Sequence, residues 1–455
     1  MGEPMLKICR LIVQGYRQFE DTDLDFTDPA TGEPANRVCL IGRNGTGKST
    51  VLVLLDLIIG QGLSRKGSGS AVMKVKTDTR SVYVLPSSGS QPPTLLDEAI
   101  EGVDGWKSSL RNASRLPREL APYKLPLTET KRLLGEVTLH ANGSDLFVFS
   151  PPEATDNCGP TISDVPETTV AKALSLRDKI PFRHVVSNAN IVQMWTHLVF
   201  LMKQRDEERE AFERLEENLD KSKRELIAAF DGAHPNPLHG LARLWDRILE
   251  PAGLEFDVEG ANNPIQLTDN LKAYIRLKST KERVSYGQLS TGIRNYLFRI
   301  GHIYLLYFNR RITRGFVLID EPENSLFPDF LFDLVKTYDE IVQLSEGGTG
   351  TQLFFATHSP IVAAQFAPHE RLILEWDDDG RVRAKKGVAP KGDDPNDVLQ
   401  KDFELRHLMG EEGRRMWDEY LDLRKQIRRT TDPRKKDDLV KRAADLGRRY
   451  SFPEP

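Results

Sequence analysis

Residues 42–49 read Gly42-Arg43-Asn44-Gly45-Thr46-Gly47-Lys48-Ser49, and this stretch decides how the chain folds. It matches the pattern GxxxxGK[ST] at every position and follows the short apolar run Arg37–Ile41. Glycines lack a Cβ, so their backbone N–H groups can wrap around phosphate oxygens. A helix that begins at Lys48 points its positive end at the same anion. The pattern therefore predicts a strand, a phosphate-binding loop and a helix that continues to about Ile59.

The loop and the first helical turn form the expected phosphate site. Lys48 is expected to reach the terminal phosphates, and the Ser49 hydroxyl is expected to bind Mg²⁺. An ordinary strand-to-helix turn is the weaker alternative, because the match lies between a predicted strand and a predicted helix as the motif requires. The residues expected to bind the phosphates are Gly42, Asn44, Gly45, Gly47, Lys48, Ser49 and Thr50.

Two adjacent carboxylates end a second apolar run, Phe316–Glu321. A strand that delivers an acidic side chain beside a phosphate loop commonly holds Mg²⁺, and Asp320 takes that role. Glu321 is then placed to polarise a water aimed at the γ-phosphate. Two acids at a strand end can also be simply solvated, but Lys48 and Ser49 require a metal partner nearby. The two stretches together predict a site for ATP and Mg²⁺.

Two further segments contain candidate site residues. His358 follows the apolar run that ends at Thr357, and ligands of parallel sheets collect at the C-terminal ends of the strands. We expect His358 to contact the γ-phosphate and its attacking water, with a structural histidine as the alternative. Ser290 and Gly292 precede a predicted helix, where a serine is also an ordinary N-cap.

Taken in chain order, the phosphate loop, LSTG (289–292), IDEPENS (319–325) and THSP (357–360) resemble the motifs of the ABC ATPase superfamily. The resemblance implies ATP hydrolysis by two nucleotide heads that meet face to face. It also implies that Ser290 and Gly292 bind the γ-phosphate of ATP held by the partner subunit. A helix N-terminus suits an anion in that position. GTP is not the expected nucleotide, because the sequence contains no NKxD-type motif for recognition of guanine.

Within that superfamily the chain resembles the non-transporter branch that contains RecF, the OLD nucleases and the ATPase subunits of bacterial anti-phage systems. The resemblance rests on the opening Leu11–Phe26 and on IGRNGTGKST, LIDEPENSLFP and FFATHSP, and it covers about half of the chain. Arg17 and Phe19 match the opening of the branch, and either an approach to the nucleotide or a place in the hairpin core fits Phe19. Phe327 stands where the branch commonly has histidine.

The glutamine loop of the superfamily has two candidates in this chain, Gln91 and Gln193, and the sequence does not decide between them.

The C-terminal part points to a partner protein. The 97 residues after His358 lack the clustered acidic ligands of a metal-dependent nuclease, so the chain is not expected to have nuclease activity of its own. The segment GDDPNDVLQKDFELRHL (392–408) is similar to that of ATPase subunits in Septu-like and retron-linked defence systems, which implies a separate effector, an HNH nuclease or toxin. Residues Glu411–Tyr450 carry 13 Lys+Arg and 9 Asp+Glu. They predict either a solvated charged face or a docking surface for that effector.

Strand and helix runs alternate from Val284 onward, which is typical of a parallel sheet with helices on its faces. The predicted fold class is α/β: an ABC-ATPase head with a mixed or parallel sheet flanked by helices, an antiparallel β subdomain, a helical insertion and a helical C-terminal appendage. The expected domains are 1–90 (head, phosphate loop), 91–280 (insertion), 281–390 (head, remaining motifs) and 391–455 (helical partner-docking segment).

Several local elements are also predicted. Leu6–Phe26 alternates in two runs and predicts an antiparallel hairpin, and Leu134–Phe149 predicts another around Asn142-Gly143. The charged segment 203–225 places apolar residues at helical spacing over only about two heptads, which favours a helical hairpin, or a solvated helix docked along one stripe, over a long coiled coil. Those residues are Phe212, Leu215, Leu219 and Leu226.

Composition limits the remaining alternatives. The formal net charge is −4, which does not favour non-specific nucleic-acid binding but leaves room for a local basic patch. Three cysteines without CxxC spacing, no secretory segment and no long apolar stretch predict a cytoplasmic protein that needs no membrane. Two other functions remain open: a RecF-like repair ATPase that binds DNA directly, and an ATP-gated scaffold with negligible turnover.

Overall fold

The computed structural model describes residues 5–60, 70–86, 93–110, 116–141, 143–152, 182–186, 205, 207–218, 222–234, 236–257, 275–284, 288–308, 310–345, 350–405, 409–450 and 452. The chain divides into two compact units, Met1–Asp393 and Asp394–Pro455, here called the head unit and the C-terminal unit. The domain boundaries at 90, 280 and 390 stay a prediction. Both candidates for the glutamine loop, Gln91 and Gln193, lie outside the described residues.

The strands of the described residues all belong to the head unit. They are β1 Leu6–Tyr16, β2 Phe19–Asp25, β3 Arg37–Gly42, β4 Ser70–Thr77, β5 Ser81–Leu85, β6 Thr94–Asp97, β7 Asp145–Ser150, β8 Arg183–Val185, β9 Leu254–Phe256, β10 Ile275–Leu277, β11 Arg314–Asp320, β12 Thr351–Ala356, β13 Arg371–Trp376 and β14 Val382–Lys386.

The helices lie in both units. Those of the head unit are α1 Lys48–Leu55, α2 Trp106–Ser109, α3 Leu127–Val137, α4 Lys223–Ala233, α5 Pro237–Leu249, α6 Thr291–Tyr307, α7 Leu334–Gln343 and α8 Pro360–Ala363. Those of the C-terminal unit are α9 Pro395–Lys401, α10 Glu411–Arg429 and α11 Pro433–Tyr450. A π-helical turn, Asp56–Gly60, continues α1.

A seven-stranded sheet in the order β14-β13-β3-β12-β11-β7-β8 forms the centre of the described head unit. Every pairing in it is parallel except that of β13 with the edge strand β14. All seven residues of β11 are buried, as expected for a strand covered on both faces. The α/β fold class and the parallel sheet predicted from the sequence are confirmed.

The register of three neighbouring strands brings their C-terminal ends to one edge of the sheet. Asp320 at the end of β11 lies opposite Ala356 at the end of β12. Ala356 in turn lies opposite Leu40 in β3, two residues before the phosphate loop. Three chain segments that are far apart in sequence therefore begin their loops at the same edge, where ligands of such sheets bind.

A five-stranded antiparallel sheet, β2-β1-β4-β5-β6, confirms the predicted β subdomain. β1 and β2 form the predicted hairpin, in which Tyr16 lies opposite Phe19. One apolar cluster joins this sheet to α1 and to the central sheet, with Leu11 from β1, Val51 from α1 and Leu318 from β11 among its members. Burial of this shared core fixes the hairpin next to the phosphate loop.

The hairpin predicted over Leu134–Phe149 is wrong. Its first half belongs to helix α3, which buries Thr130, Leu133 and Val137 at helical spacing. Its second half is β7, which pairs in parallel with β11. The apolar run in β7 is buried on both faces of the sheet, so a continuous core strand was mistaken for one arm of an alternating hairpin.

The charged segment forms two helical pieces. Residues 207–213 are helical, and α4 begins after Ser222, whose side chain forms a capping box with Glu225. Phe212 packs against Phe230 of α4 with ring centroids 5.6 Å apart. This agrees with the predicted helical hairpin, although Leu219 lies outside the described residues.

The C-terminal unit contains an antiparallel pair of helices, α10 and α11, with its own apolar core. The predicted stripe on α10 (Met416, Tyr420, Leu423 and Ile427) contributes to this core together with Ala443 and Phe452. The stripe therefore packs against α11 and is not available to a partner. No described helix is long and apolar enough to span a bilayer.

Candidate nucleotide-binding site

The phosphate loop connects β3 to α1 in the way the motif requires. Gly47, the N-cap of α1, has a φ of +97°, and a Cβ there would lie 2.3 Å from Gln18 Nε2 and 2.5 Å from Phe19 Cζ. Only glycine fits this position. The hairpin turn thus lies directly against the loop, and the Gln18 amide also donates to the Gly45 carbonyl over 3.2 Å.

Phe19 is fully buried in the core, as the hairpin-core alternative predicted, and its ring lies against Gly47 of the loop. Its approach to a nucleotide stays a prediction. Arg17 is exposed and stacks on Tyr16 at 5.5 Å. In the loop itself, Asn44 is exposed, whereas Thr50 is buried on α1.

Lys48 is 5 % exposed, and its ammonium group is held by the loop. Nζ donates to the carbonyl oxygens of Gly42 (2.9 Å) and Arg43 (3.3 Å). Burial lowers the pKa of Lys48 to about 8, against the opposing effect of Asp320 and Glu321. Carbonyl dipoles compensate a buried cation only in part, so a phosphate would stabilise the charged form.

Ser49 and Asp320 meet across the edge of the sheet. The Ser49 hydroxyl donates to Asp320 Oδ1 over 3.1 Å. Burial raises the pKa of Asp320 to about 6. A hydroxyl beside a carboxylate is a pair of hard oxygen ligands, which suits Mg²⁺ bound jointly by protein and phosphate. Among the described residues no group of three or more His, Cys, Asp and Glu could hold a metal. The two side chains therefore fit Mg²⁺ that shares its ligands with a nucleotide.

Glu321 and His358 approach each other at the same edge. Their side chains lie 3.9 Å apart, between Oε1 and Nε2. Glu321 has a φ of +44°, an uncommon conformation for a residue with a side chain, and its N–H donates to the Ala356 carbonyl over 2.8 Å. Burial and the charge of Lys48 lower the pKa of His358. The backbone holds both side chains where a water could lie between them.

Glu323 is a site residue that the sequence did not reveal. Its Oε1 accepts hydrogen bonds from Thr357 Oγ1 (2.7 Å), His358 N (2.7 Å) and Ser359 N (3.1 Å). Burial raises the pKa of Glu323. The side chain thus ties the turn after Glu321 to the loop that carries His358. No sequence pattern shows that this acid faces a loop 34 residues away.

Arg299 supports the same turn from behind. It is 2 % exposed in the middle of α6 and donates through Nη1 to the carbonyls of Asp320 (3.2 Å) and Glu321 (3.0 Å). Nη2 donates to the carbonyls of Pro151 and Pro152. Burial lowers the pKa of Arg299. In the sequence it is one of many arginines in a helix, and only the tertiary structure shows what it contacts.

Ser290 and Gly292 lie at the start of α6. Ser290 is the N-cap and accepts a hydrogen bond from Ile293 N over 3.3 Å, so the ordinary capping role holds. A Cβ on Gly292 would lie 1.9 Å from the carbonyl oxygen of Ser325, which excludes any other residue there. The start of α6 therefore packs against the turn that follows Asp320 and Glu321.

A comparison with known protein families identifies the family of the chain. Residues 6–88 and 154–363 match the AAA_15 family, described as an AAA ATPase domain, and the chain belongs to that family. The chain is therefore an ATPase, as the sequence predicted. No curated protein shows a significant match to it.

Solved structures with a similar fold include a chromosome-maintenance protein and a recombination mediator. The SMC head domain from Thermotoga maritima is 12 % identical, with a TM-score of 0.36 and coverage of 84 % of this chain and 100 % of that one. An SMC head bound to the C-terminal winged-helix domain of ScpA is 10 % identical, with a TM-score of 0.36 and coverage of 84 % and 98 %. RecF with ATP, from the RecFOR pathway, is 13 % identical, with a TM-score of 0.31 and coverage of 84 % and 99 %.

The first prediction concerns Glu323. Glu323→Ala removes the acceptor of three hydrogen bonds, so His358 loses its placement and kcat should fall by about tenfold or more, since a positioned polar group contributes at least that much. The dissociation constant for ATP should change little, because Lys48 keeps its contacts. Steady-state ATPase assays and nucleotide titration measure the two effects.

Glu323→Gln is the matched control, since its carbonyl oxygen can accept the same bonds and should restore most of kcat. The exposed Glu20→Ala should behave like the parent. Parental kcat in Glu323→Ala, or equal losses in Ala and Gln, would contradict the positioning role.

The second prediction concerns the pH dependence of stability without nucleotide or Mg²⁺. Asp320 has an ordinary pKa of 3.8 and a folded pKa of about 6, so the folded protein binds the extra proton between these values. The contribution of Asp320 to the free energy of unfolding is at its maximum below pH 4. As the pH rises to about 6 this contribution is lost, which lowers the free energy of unfolding by roughly 3 kcal/mol. Asp320→Asn should therefore be more stable than the parent at pH 7 and nearly equal to it at pH 4.

Urea unfolding of both proteins in a chelating buffer tests this. Addition of Mg²⁺ and ATP should stabilise the parent more than Asp320→Asn, which keeps Lys48 but lacks the carboxylate for the metal. A difference in stability that stays constant from pH 4 to pH 7 would rule out the buried carboxylate as its source.

Proposed function

We propose that the chain binds and hydrolyses ATP with Mg²⁺ at a site that two copies complete head to head. One observation carries the proposal: Lys48, the Ser49–Asp320 pair and the Glu321–His358 pair all lie at one edge of the sheet. These groups are the parts required for phosphoryl transfer to water.

Each side chain has a task that follows from its surroundings. Lys48 and the N-terminus of α1 bind the phosphates, and Mg²⁺ when bound neutralises charge that develops on them. Glu321 accepts a hydrogen bond from the attacking water, and His358 donates one to the γ-phosphate. The lowered pKa of His358 keeps it neutral at pH 7, so one ring nitrogen can donate and the other can accept.

The partner copy supplies the start of α6. Ser290 and the free N–H groups of this helix form an anion site on the surface of each copy. The start of α6 lies beside the turn after Glu321, where Gly292 contacts the Ser325 carbonyl. An anion bound at the start of α6 would therefore affect the position of Asp320 and Glu321 through this contact. Two copies related by a twofold axis would place each α6 over the other copy's phosphate loop.

The third prediction tests this shared site by mixing two inactive variants. Lys48→Ala cannot bind phosphate, and Ser290→Asp keeps a good N-cap but places a negative charge against the γ-phosphate. Each alone should be inactive. A mixed dimer contains one intact pair, Lys48 from one copy and Ser290 from the other, so an equal mixture should recover about a quarter of parental ATPase activity.

Mixing either variant with itself, or Lys48→Ala with the double variant, is the control and should recover nothing. If the mixture of single variants also stays inactive while both fold and associate, both residues act within one chain and the shared site is rejected.

We also propose that the ATP-bound dimer regulates a separate effector, an HNH nuclease or a toxin, in anti-phage defence. The support is the resemblance of residues 392–408 to ATPase subunits of Septu-like and retron-linked systems. IGRNGTGKST and LIDEPENSLFP add the broader resemblance to the branch that contains RecF, the OLD nucleases and anti-phage ATPases. The C-terminal unit, which folds around its own core, is the proposed docking element.

The fourth prediction tests that docking. The product of the gene adjacent to this one should co-purify with the full chain and be lost on deletion of residues 411–455. ATP binding should survive, because every nucleotide-site residue lies in the head unit. Tyr420→Ala, which opens the core of the α10–α11 pair, should weaken co-purification, whereas the exposed Lys425→Ala should not. Unchanged co-purification after the deletion would reject the docking role.

A further inference from the structure

A dense group of positive charges surrounds the turn between α10 and α11. Five cations fall within the nine residues 428–436, and one acid, Asp432, lies among them. All five are exposed. They are Arg428, Arg429, Arg434, Lys435 and Lys436, here called the basic turn.

The charges at the start of α11 are unfavourable for a helix. Acidic residues favour the first turn of a helix and basic residues the last, because of the helix dipole. α10 follows this rule, with Glu411 and Glu412 in its first turn and Arg428 and Arg429 in its last. α11 follows it in its last turn, with Arg448 and Arg449, but its first turn contains no acid and a run of three cations, 434–436. The stability of α11 therefore does not explain why three cations lie at its start.

Intramolecular ion pairing does not account for them either. Cations elsewhere on these helices do have acidic partners, such as Lys425 with Asp422 (3.0 Å) and Lys441 with Asp437 (2.8 Å). Within the described residues no ion pair joins an acidic side chain to any cation of the basic turn. Asp432 instead caps α11, where its Oδ1 accepts from Arg434 N over 3.0 Å. The basic turn thus presents five exposed cations to solvent, and the next acids along the chain are Asp437 and Asp438.

The chemistry of the turn distinguishes a nucleic acid from a protein. Protein interfaces commonly combine Arg with Trp and Tyr anchors that are buried at the centre of the interface. Residues 428–436 contain only Arg, Lys, Thr, Asp and Pro, and the adjacent Ile427 packs against the core of the helix pair. Phosphate backbones need no such anchor, because release of condensed counterions drives their binding to clustered cations.

We infer that the basic turn binds the phosphate backbone of nucleic acid without reading its base sequence. The inference does not depend on the ATPase cycle, and it identifies a local contact in a chain whose net charge is −4. The same unit is the proposed docking element for the effector, so the turn would hold a nucleic acid close to that effector.

The fifth prediction is tested with the full chain and the triple variant Arg434→Gln, Lys435→Gln and Lys436→Gln. Removal of these charges relieves the unfavourable helix dipole, so lost binding cannot come from unfolding of α11. Binding of fluorescently labelled duplex DNA should weaken, and the slope of log affinity against log salt should fall by about 3, or about 0.9 per phosphate contact. Labelled duplex RNA shares the phosphates and should show the same loss.

A matched control removes three charges elsewhere in the C-terminal unit, Arg414→Gln, Arg415→Gln and Arg448→Gln, and should bind nearly as the parent does. Absence of salt-dependent binding by the parent, or equal binding by both triple variants, overturns the inference. Parental binding by the basic-turn variant together with loss of the co-purifying protein would show instead that the turn contacts that protein. Both triple variants should hydrolyse ATP at the parental rate. ATPase assays of the same samples therefore test the ATPase proposal independently of nucleic-acid binding.

Discussion

Parallel pairing of β3, β12 and β11 is the constraint on which the nucleotide site depends. Side chains alternate along a strand, so a slip of one residue between β11 and β12 would turn Asp320 away from the loop. The register is protected by complete burial of β11 on both faces and by the apolar cluster that joins both sheets to α1. The geometry of the site is therefore set by packing of the core, and its polar residues depend on that packing.

The charges of Lys48 and Asp320 are only partly compensated by the protein itself. Burial lowers the pKa of Lys48 to about 8 and raises that of Asp320 to about 6, so each is shifted toward its neutral form. Neither group is fully compensated by the other or by the loop carbonyls. At the proposed site a triphosphate would supply negative charge to Lys48, and Mg²⁺ would supply positive charge to Asp320. The protein is thus suited to bind the two ligands together, since either alone would satisfy only half of the site.

Residues whose roles depend on local chain geometry could be predicted from the sequence. Lys48 and Ser49 belong to one continuous motif, and Asp320 ends a strand whose burial is evident from its composition. Arg299 and Glu323 could not be predicted, because their partners are backbone groups in other segments of the chain. The hairpin wrongly predicted over 134–149 failed for the same reason, since the parallel partner of β7 begins 169 residues later.

Contacts behind the candidate site hold the described residues on both sides of positions 153–181. Before these positions, the carbonyls of Pro151 and Pro152 accept hydrogen bonds from Arg299, which also donates to the carbonyls of Asp320 and Glu321. After these positions, Arg183 forms a bidentate ion pair with Asp56, which belongs to the π-turn that continues α1. Nε and Nη2 each lie 2.7 Å from a carboxylate oxygen.

A bidentate guanidinium–carboxylate pair fixes orientation as well as distance. Arg183 is therefore held in a fixed orientation on the π-turn that continues α1. Arg299 in turn holds Pro151 and Pro152 next to the backbone of Asp320 and Glu321. The described residues on both sides of positions 153–181 are thus attached to the two segments that carry the candidate site, and one buried arginine and one ion pair fix them there.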